Sequence, residues 1–237
     1  MLTLTVKLAA PVFADQGDDL SGHVHRQLIG YIGLVLPFLL IALALARDGL
    51  ERWRALESIS AYYYTGAVAA FVGMLVALAL FLFAYRGYSN AAGQADRWAA
   101  KLASLAALGV AFFPTAAPAG LAALPWWTPA TGIIHHVSAI VLFAVFALFC
   151  LWLFRITPDG ASKTDGKGRR NNLYLACGIV IVGCILYAGW AGLQDRSIFW
   201  SESIALVAFA LSWLAKGRAL RSAVGAARRM LSGTKSG

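Results

Sequence analysis

The chain has 237 residues, 60% of them hydrophobic and only 13% charged, with a net charge of +9. Soluble domains average roughly 25% charged residues, so a soluble globular enzyme is a poor fit and no stretch reads as a separate soluble domain. The basic balance is spread over loops and a tail beside apolar runs, where it sets topology and attracts anionic lipid; nucleic-acid binding is disfavoured.

Residues 1–26 read as a cytoplasmic N-terminal segment. Its start, ending in Val12-Phe13-Ala14, imitates a signal peptide, but Lys7 interrupts the apolar region and no positive region precedes it. Six apolar spans follow, at 27–46, 61–85, 102–119, 133–154, 173–193 and 198–215. Each is near the ~20 residues that a helix needs to cross hydrocarbon. Each is continuously apolar rather than alternating, which favours helices over a barrel because lipid offers no partner for free backbone groups. The expected fold is therefore all-α, a polytopic six-helix membrane domain over 27–217 with a basic cytoplasmic tail at 218–237.

Cations orient the spans. Lys7 and Arg26, three residues in 86–101, five in 155–170 and six from Lys216 onward fall on one side; Arg47, Arg52, Arg54 and Arg196 fall on the other. Sixteen against four predicts both termini in the cytoplasm and a multi-pass protein of the cell inner membrane.

Within this frame, Pro37 is expected to kink the first span, and Pro114 and Pro118 to loosen the end of the third. Between the first two spans, Asp48 and Glu51 have capping-box spacing, followed by Leu50, Trp53 and Leu56 at helical intervals, which predicts a short interfacial helix. Gly66, Ala70, Gly73 and Ala77 form a small-residue stripe suited to close helix approach. Residues 157–172, with Pro158-Asp159-Gly160, read as a flexible cytoplasmic loop. Cys150, Cys177 and Cys184 all lie in spans, without a CxxC, and read as packing residues rather than a disulfide framework or zinc ribbon.

The polar residues that carry chemistry gather at the outward helix ends. Ser58, Ser60, Tyr62 to Tyr64 and Thr65 open the second span, Phe113-Pro114-Thr115 closes the third, His135, His136 and Ser138 open the fourth, and Glu202 lies one turn inside the sixth beside Gln194 and Asp195. An ionised carboxylate at such a depth needs a partner or water, and an imidazole is a natural one. An equally simple reading has Glu202 snorkelling to the headgroups at its helix start. His135 and His136 point about 100° apart on a helix, so they cannot share one pocket squarely. Ser138, on the His135 stripe, is placed to fix that ring's tautomer. Trp53, Trp126, Trp127 and Trp200 fit an aromatic belt, whereas His23 and His25 fall at the opposite face.

A zinc site would need His135 and His136 with Glu202 or Asp195; HExxH and His-x-x-x-His spacings are absent, and no cofactor is named by the sequence. Ligand-binding candidates are Ser58, Ser60, Tyr64, Thr115, His135, His136, Ser138, Asp195 and Glu202. His135 and Glu202 are the candidates for a general base.

Ser58-Ile-Ser-x-Tyr62, Phe113-Pro-Thr115, His135-His-x-Ser-Ala139 and Arg170-Asn171 with Tyr174 together resemble a family of uncharacterised bacterial six-span membrane proteins, distantly similar to the DRAM, Frag and Sfk group. The resemblance spans roughly 27–217. It implies the helical fold and the outward polar cluster, matches Ser58, Ser60, Pro114, Thr115, His135 and Ser138, and implies a role with membrane lipid. Three function classes follow: a protein binding a lipid headgroup or small ligand in an outward pocket; an intramembrane hydrolase or transferase acting on lipid; and a transporter. Transport ranks last, because residues 102–154 hold no Asp, Glu, Lys or Arg near mid-bilayer.

Overall fold

The computed structural model describes residues 14–49, 56–87, 93–156 and 167–217. Among them are six α-helices and no strand: α1 (Ala14–Asp48), α2 (Val68–Ala84), α3 (Gly93–Phe112), α4 (Pro129–Leu151), α5 (Lys167–Gly192) and α6 (Phe199–Lys216), with 3₁₀ turns at Ser60–Tyr64 and Leu153–Arg155. The expected capping box and interfacial helix at 48–56, the basic tail at 218–237 and the signal-like start fall largely or wholly outside the described residues.

Each helix packs against its neighbours in sequence, and α1 packs against α6, so the six form a closed ring. Neighbours run antiparallel. Gly30 of α1 lies against Leu214 and Ala210 of α6, the Ser104 hydroxyl on α3 donates to the Ala79 carbonyl on α2 at 2.7 Å, and the α4 residue Leu151 packs on Gly178 of α5. The start of α1 and the end of α6 therefore meet at one end, joined by the Gln27 side-chain amide donating to the Gly217 carbonyl at 2.8 Å. The opposite end carries the turn at Ser60, the Phe113 bend and the start of α4.

Three helices are long and apolar enough to cross a membrane: Gly22–Arg47, Pro129–Arg155 and Lys167–Gly192. The apolar helix Val68–Ala84 is shorter. Several sequence expectations shift. The third helix begins at Gly93 and stops at Phe112, because Pro114 supplies no N–H and disfavours helical backbone at residue 113. The second helix begins only at Val68, since Ser58 and Thr65 draw the preceding backbone into a 3₁₀ turn: the Ser58 hydroxyl oxygen accepts the Ala61 N–H at 3.1 Å, and Thr65 Oγ1 accepts the Ala67 N–H at 3.1 Å while donating to the Tyr62 carbonyl at 2.9 Å. Residues 167–172, expected in a loop, form the first turns of α5.

The core is built on aromatic and small residues. Trp213 is fully buried, edge-on to Tyr85, Phe149 and Phe154, while Phe146 and Phe209 stack face to face. Each such pair contributes about 0.5–1.5 kcal/mol beyond its area burial. Backbones close at Gly30, where a Cβ would stand 2.7 Å from Leu214, and at Gly109, where it would overlap Ser138. The expected stripe at Gly66–Ala77 is not such a contact: a Cβ on Gly73 would meet nothing within 4 Å, because α2 turns Phe71, Leu75, Leu78 and Leu82 inward instead.

Candidate functional site

The end opposite the Gln27–Gly217 contact is organised by the segment 57–65. The Glu57 carbonyl accepts the N–H groups of Ile198 at 2.7 Å and Phe199 at 3.0 Å and the Ser197 hydroxyl at 3.1 Å, satisfying donors at the start of α6 that have no partner within the helix. In return, Glu202 on α6 reaches back, its Oε2 accepting the Ile59 N–H at 2.6 Å. This reciprocal clasp holds Ser60 beside the Glu202 carboxylate. Tyr64 pins the other end of the turn, its hydroxyl donating to the Thr115 carbonyl at 2.8 Å.

His135 is buried, one and a half turns into α4. The helix start is set by Thr128 and Thr131 around Pro129: each threonine oxygen accepts the other's backbone N–H, at 3.3 and 3.0 Å. The His135 Nδ1 lies 2.6 Å from the Phe113 carbonyl and its Nε2 lies 2.8 Å from the Ser60 hydroxyl. A carbonyl only accepts, so Nδ1 donates, and in the neutral ring Nε2 accepts from Ser60. That carbonyl is free for the task because the proline bend ends α3 beside it. The tautomer is thus fixed by backbone rather than by Ser138, which packs against Gly109.

Two spaces adjoin this constellation. An internal cavity of about 30 Å³ is lined by Ile59, Ser60, Glu202 and apolar side chains including Val110, Leu142 and Phe143. A larger groove of about 360 Å³ lies between α4, α5 and α6, lined by His136, Ile140, Cys184, Ala188, Gly189 and Gly192 among others. Ala139, Phe143 and Glu202 line both, so they form the wall between them. The groove exists because α5 carries small residues at 188, 189 and 192 where the neighbouring helices would otherwise meet bulk.

Ser60, His135 and Glu202 are therefore brought to one corner, with Glu202 bonded to the backbone beside Ser60 rather than to an imidazole. His136 lines the groove and donates from Nδ1 to the Gly132 carbonyl at 2.6 Å. Thr115 contributes its carbonyl, and Ser58 serves the turn. Asp195 is exposed in the loop before α6, with a positive φ of 50°. Among the described residues no three His, Cys, Asp or Glu side chains converge as metal ligands. Both His135 nitrogens are already engaged, which leaves the proposed zinc set without its principal ligand.

No known protein family, curated protein or solved structure matches the chain.

Three contributors escaped the sequence reading: the Phe113 carbonyl, the Glu57 carbonyl and the groove face of α5. The first is signalled by Phe-Pro-Thr, since a proline break frees the carbonyls before it. The third is signalled by the run Ala188-Gly189 with Gly192 near the end of an apolar helix.

Proposed function

We propose that the chain crosses a cell inner membrane six times, with both termini in the cytoplasm, and that its outward end accepts a membrane lipid. The groove between α4, α5 and α6 takes an apolar chain, and the polar wall at Glu202 and His136 receives the headgroup region. The observation that carries this reading is the groove itself: about 360 Å³ of apolar space on the side of the bundle, meeting a half-buried carboxylate at one wall. An acid at such a position in a membrane helix faces a bundle interior or a ligand far more often than hydrocarbon.

The exposed surface supports the membrane placement. Trp126, Trp190 and Trp200 are exposed toward the His135 end, Trp98 and Trp152 toward the other, with Phe38, Leu80, Leu105, Ile140 and Ile179 exposed between. Two aromatic girdles around an apolar band are the surface a bilayer selects. The cation asymmetry supports the orientation, and the resemblance to the DRAM, Frag and Sfk group adds a lipid-related expectation.

Native mass spectrometry after mild extraction tests the pocket. Wild type is expected to carry a lipid, and Ala188→Trp, which fills the groove, to lose it. Equal retention in both counts against the groove as the binding place.

A further inference from the structure

We propose that Ser60 is a nucleophile, with His135 as its general base, in transfer of an acyl group from a lipid ester seated in the groove. This rests on the lipid-binding reading above and assigns that site a reaction.

The geometry meets the requirements of nucleophilic catalysis in turn. A serine hydroxyl is a weak nucleophile unless a base accepts its proton as it attacks. The base must lie within hydrogen-bond reach and must itself be oriented by a third group. The Ser60 hydroxyl lies 2.8 Å from Nε2 of His135, and the Phe113 carbonyl holds Nδ1 at 2.6 Å, leaving Nε2 the bare nitrogen. Phe113 thus stands where other hydrolytic sites place a carboxylate or amide, as a positioning group that does not take up the proton. Three separate elements supply the three groups: the Ser60–Tyr64 turn, α4 and the bend after α3. Neither partner belongs to the other's helix, so the contact, spanning 75 residues of sequence, is made by the tertiary fold.

Substrate class follows from the surroundings. Ser60 opens onto the internal cavity, and that cavity is divided from the groove by Ala139, Phe143 and Glu202. A lipid chain lying in the groove brings an ester beside its headgroup to this wall, and rotation of the Phe143 ring admits the carbonyl to Ser60. In the first step Ser60 Oγ bonds to the carbonyl carbon while its proton passes to His135 Nε2. The ester C–O bond then breaks, and the departing alcohol oxygen takes that proton back from the imidazolium, leaving acyl-Ser60 and a free alcohol. In the second step an acceptor alcohol or water gives its proton to Nε2 and attacks the acyl carbon; Ser60 recovers the proton as it leaves. Atoms balance with no oxidant, reductant or metal. Glu202, at the shared wall beside the Ile59 N–H, faces the space from which that acceptor enters.

A long-chain alkyl fluorophosphonate is the direct probe, because it mimics an ester and traps an activated serine covalently. Purified protein in lipid nanodiscs is incubated with it, and intact mass and peptide mapping follow the adduct. Wild type is expected to gain one adduct, on Ser60. Ser60→Ala should gain none, and His135→Gln should label at least about 100-fold more slowly, the contribution typical of a positioned base. Ser60→Ala leaves Nε2 of the buried His135 without its donor and should melt somewhat lower than wild type, but circular dichroism at the labelling temperature should show the wild-type helix content, separating loss of chemistry from loss of fold. A wild type that carries lipid but takes no adduct, takes it on another residue, or labels equally fast as His135→Gln overturns the nucleophile and leaves the pocket reading standing. A wild type that carries no lipid overturns the pocket reading itself.

Discussion

The two ends of the bundle spend their polar groups differently. At the end where Gln27 meets Gly217, Arg26 lies over the Tyr85 ring at 5.9 Å, and Lys216 lies over Phe154 at 5.2 Å while donating to its carbonyl at 3.0 Å. Asp96 is buried within electrostatic reach of Lys216, and His25 meets the Phe81 carbonyl at 2.6 Å. These contacts stitch α1, α2, α3 and α6 around the Trp213 cluster. At the other end the side chains bond mainly to backbone in turns and bends, and both cavities described above lie among them. Charge and aromatic packing close one end, whereas hydrogen bonding to irregular backbone shapes a space at the other. Within a membrane that second arrangement is tolerated where non-helical backbone is enclosed by protein or lines a cavity.

This contrast makes separable predictions. The largest effect should come from Trp213→Ala at the closed end, which removes a fully buried side chain shared by four rings and should cost about 3–5 kcal/mol of stability. A thermal melt in detergent reads it as a large downward shift in Tm; a small shift would mean that the aromatic cluster does not hold that end. Next, Gly30→Val places carbon against Leu214 and should cost about 1–3 kcal/mol through overpacking at the α1–α6 seam. An unchanged melt would remove that seam from the account.

At the open end, stability and function should part company. Ala188→Trp fills the groove rather than the core and should shift stability by no more than about 0.5 kcal/mol while abolishing the lipid retention proposed for the wild type. If that variant unfolds instead, the groove is core rather than a ligand space. Phe143→Ala, by lowering the wall between groove and cavity, should raise the rate of fluorophosphonate labelling several-fold; a slower rate would contradict the entry route. No loss of either stability or lipid retention is expected of Gly73→Ala on the exposed face of α2, where a methyl meets nothing within 4 Å and should be neutral or stabilising by up to ~1 kcal/mol from helix propensity.

Six helices were readable in the sequence because hydropathy is a sum over many residues and tolerates local error. Their ends were less so. The third span slid by nine residues at its start, because Gly93–Leu102 is too polar for a hydropathy window yet is helical, with Asp96 and Ala99 to Ala100 turned into the bundle. Ser60, His135 and Glu202 could be named individually as polar residues in apolar surroundings. Their pairing could not, since Ser60 meets His135 across 75 residues and Glu202 meets a backbone N–H that no residue type advertises. The small-residue stripe misled for a related reason: spacing shows that residues share a face, not which face turns inward. Backbone carbonyls at a proline break were the missing half of the site, and Phe-Pro-Thr is the pattern that would have located them.

Photocrosslinking bears most directly on the central claim, that the groove between α4, α5 and α6 receives a lipid. Cells or nanodiscs supplied with a phospholipid carrying a diazirine on its acyl chain should, after irradiation and peptide mapping, yield adducts concentrated on α4 and α5 at Ile140, Cys184, Ile185 and Ala188, and Ala188→Trp should abolish them. Adducts scattered evenly over the exposed faces of α2 and α3, with none in the groove, would contradict it.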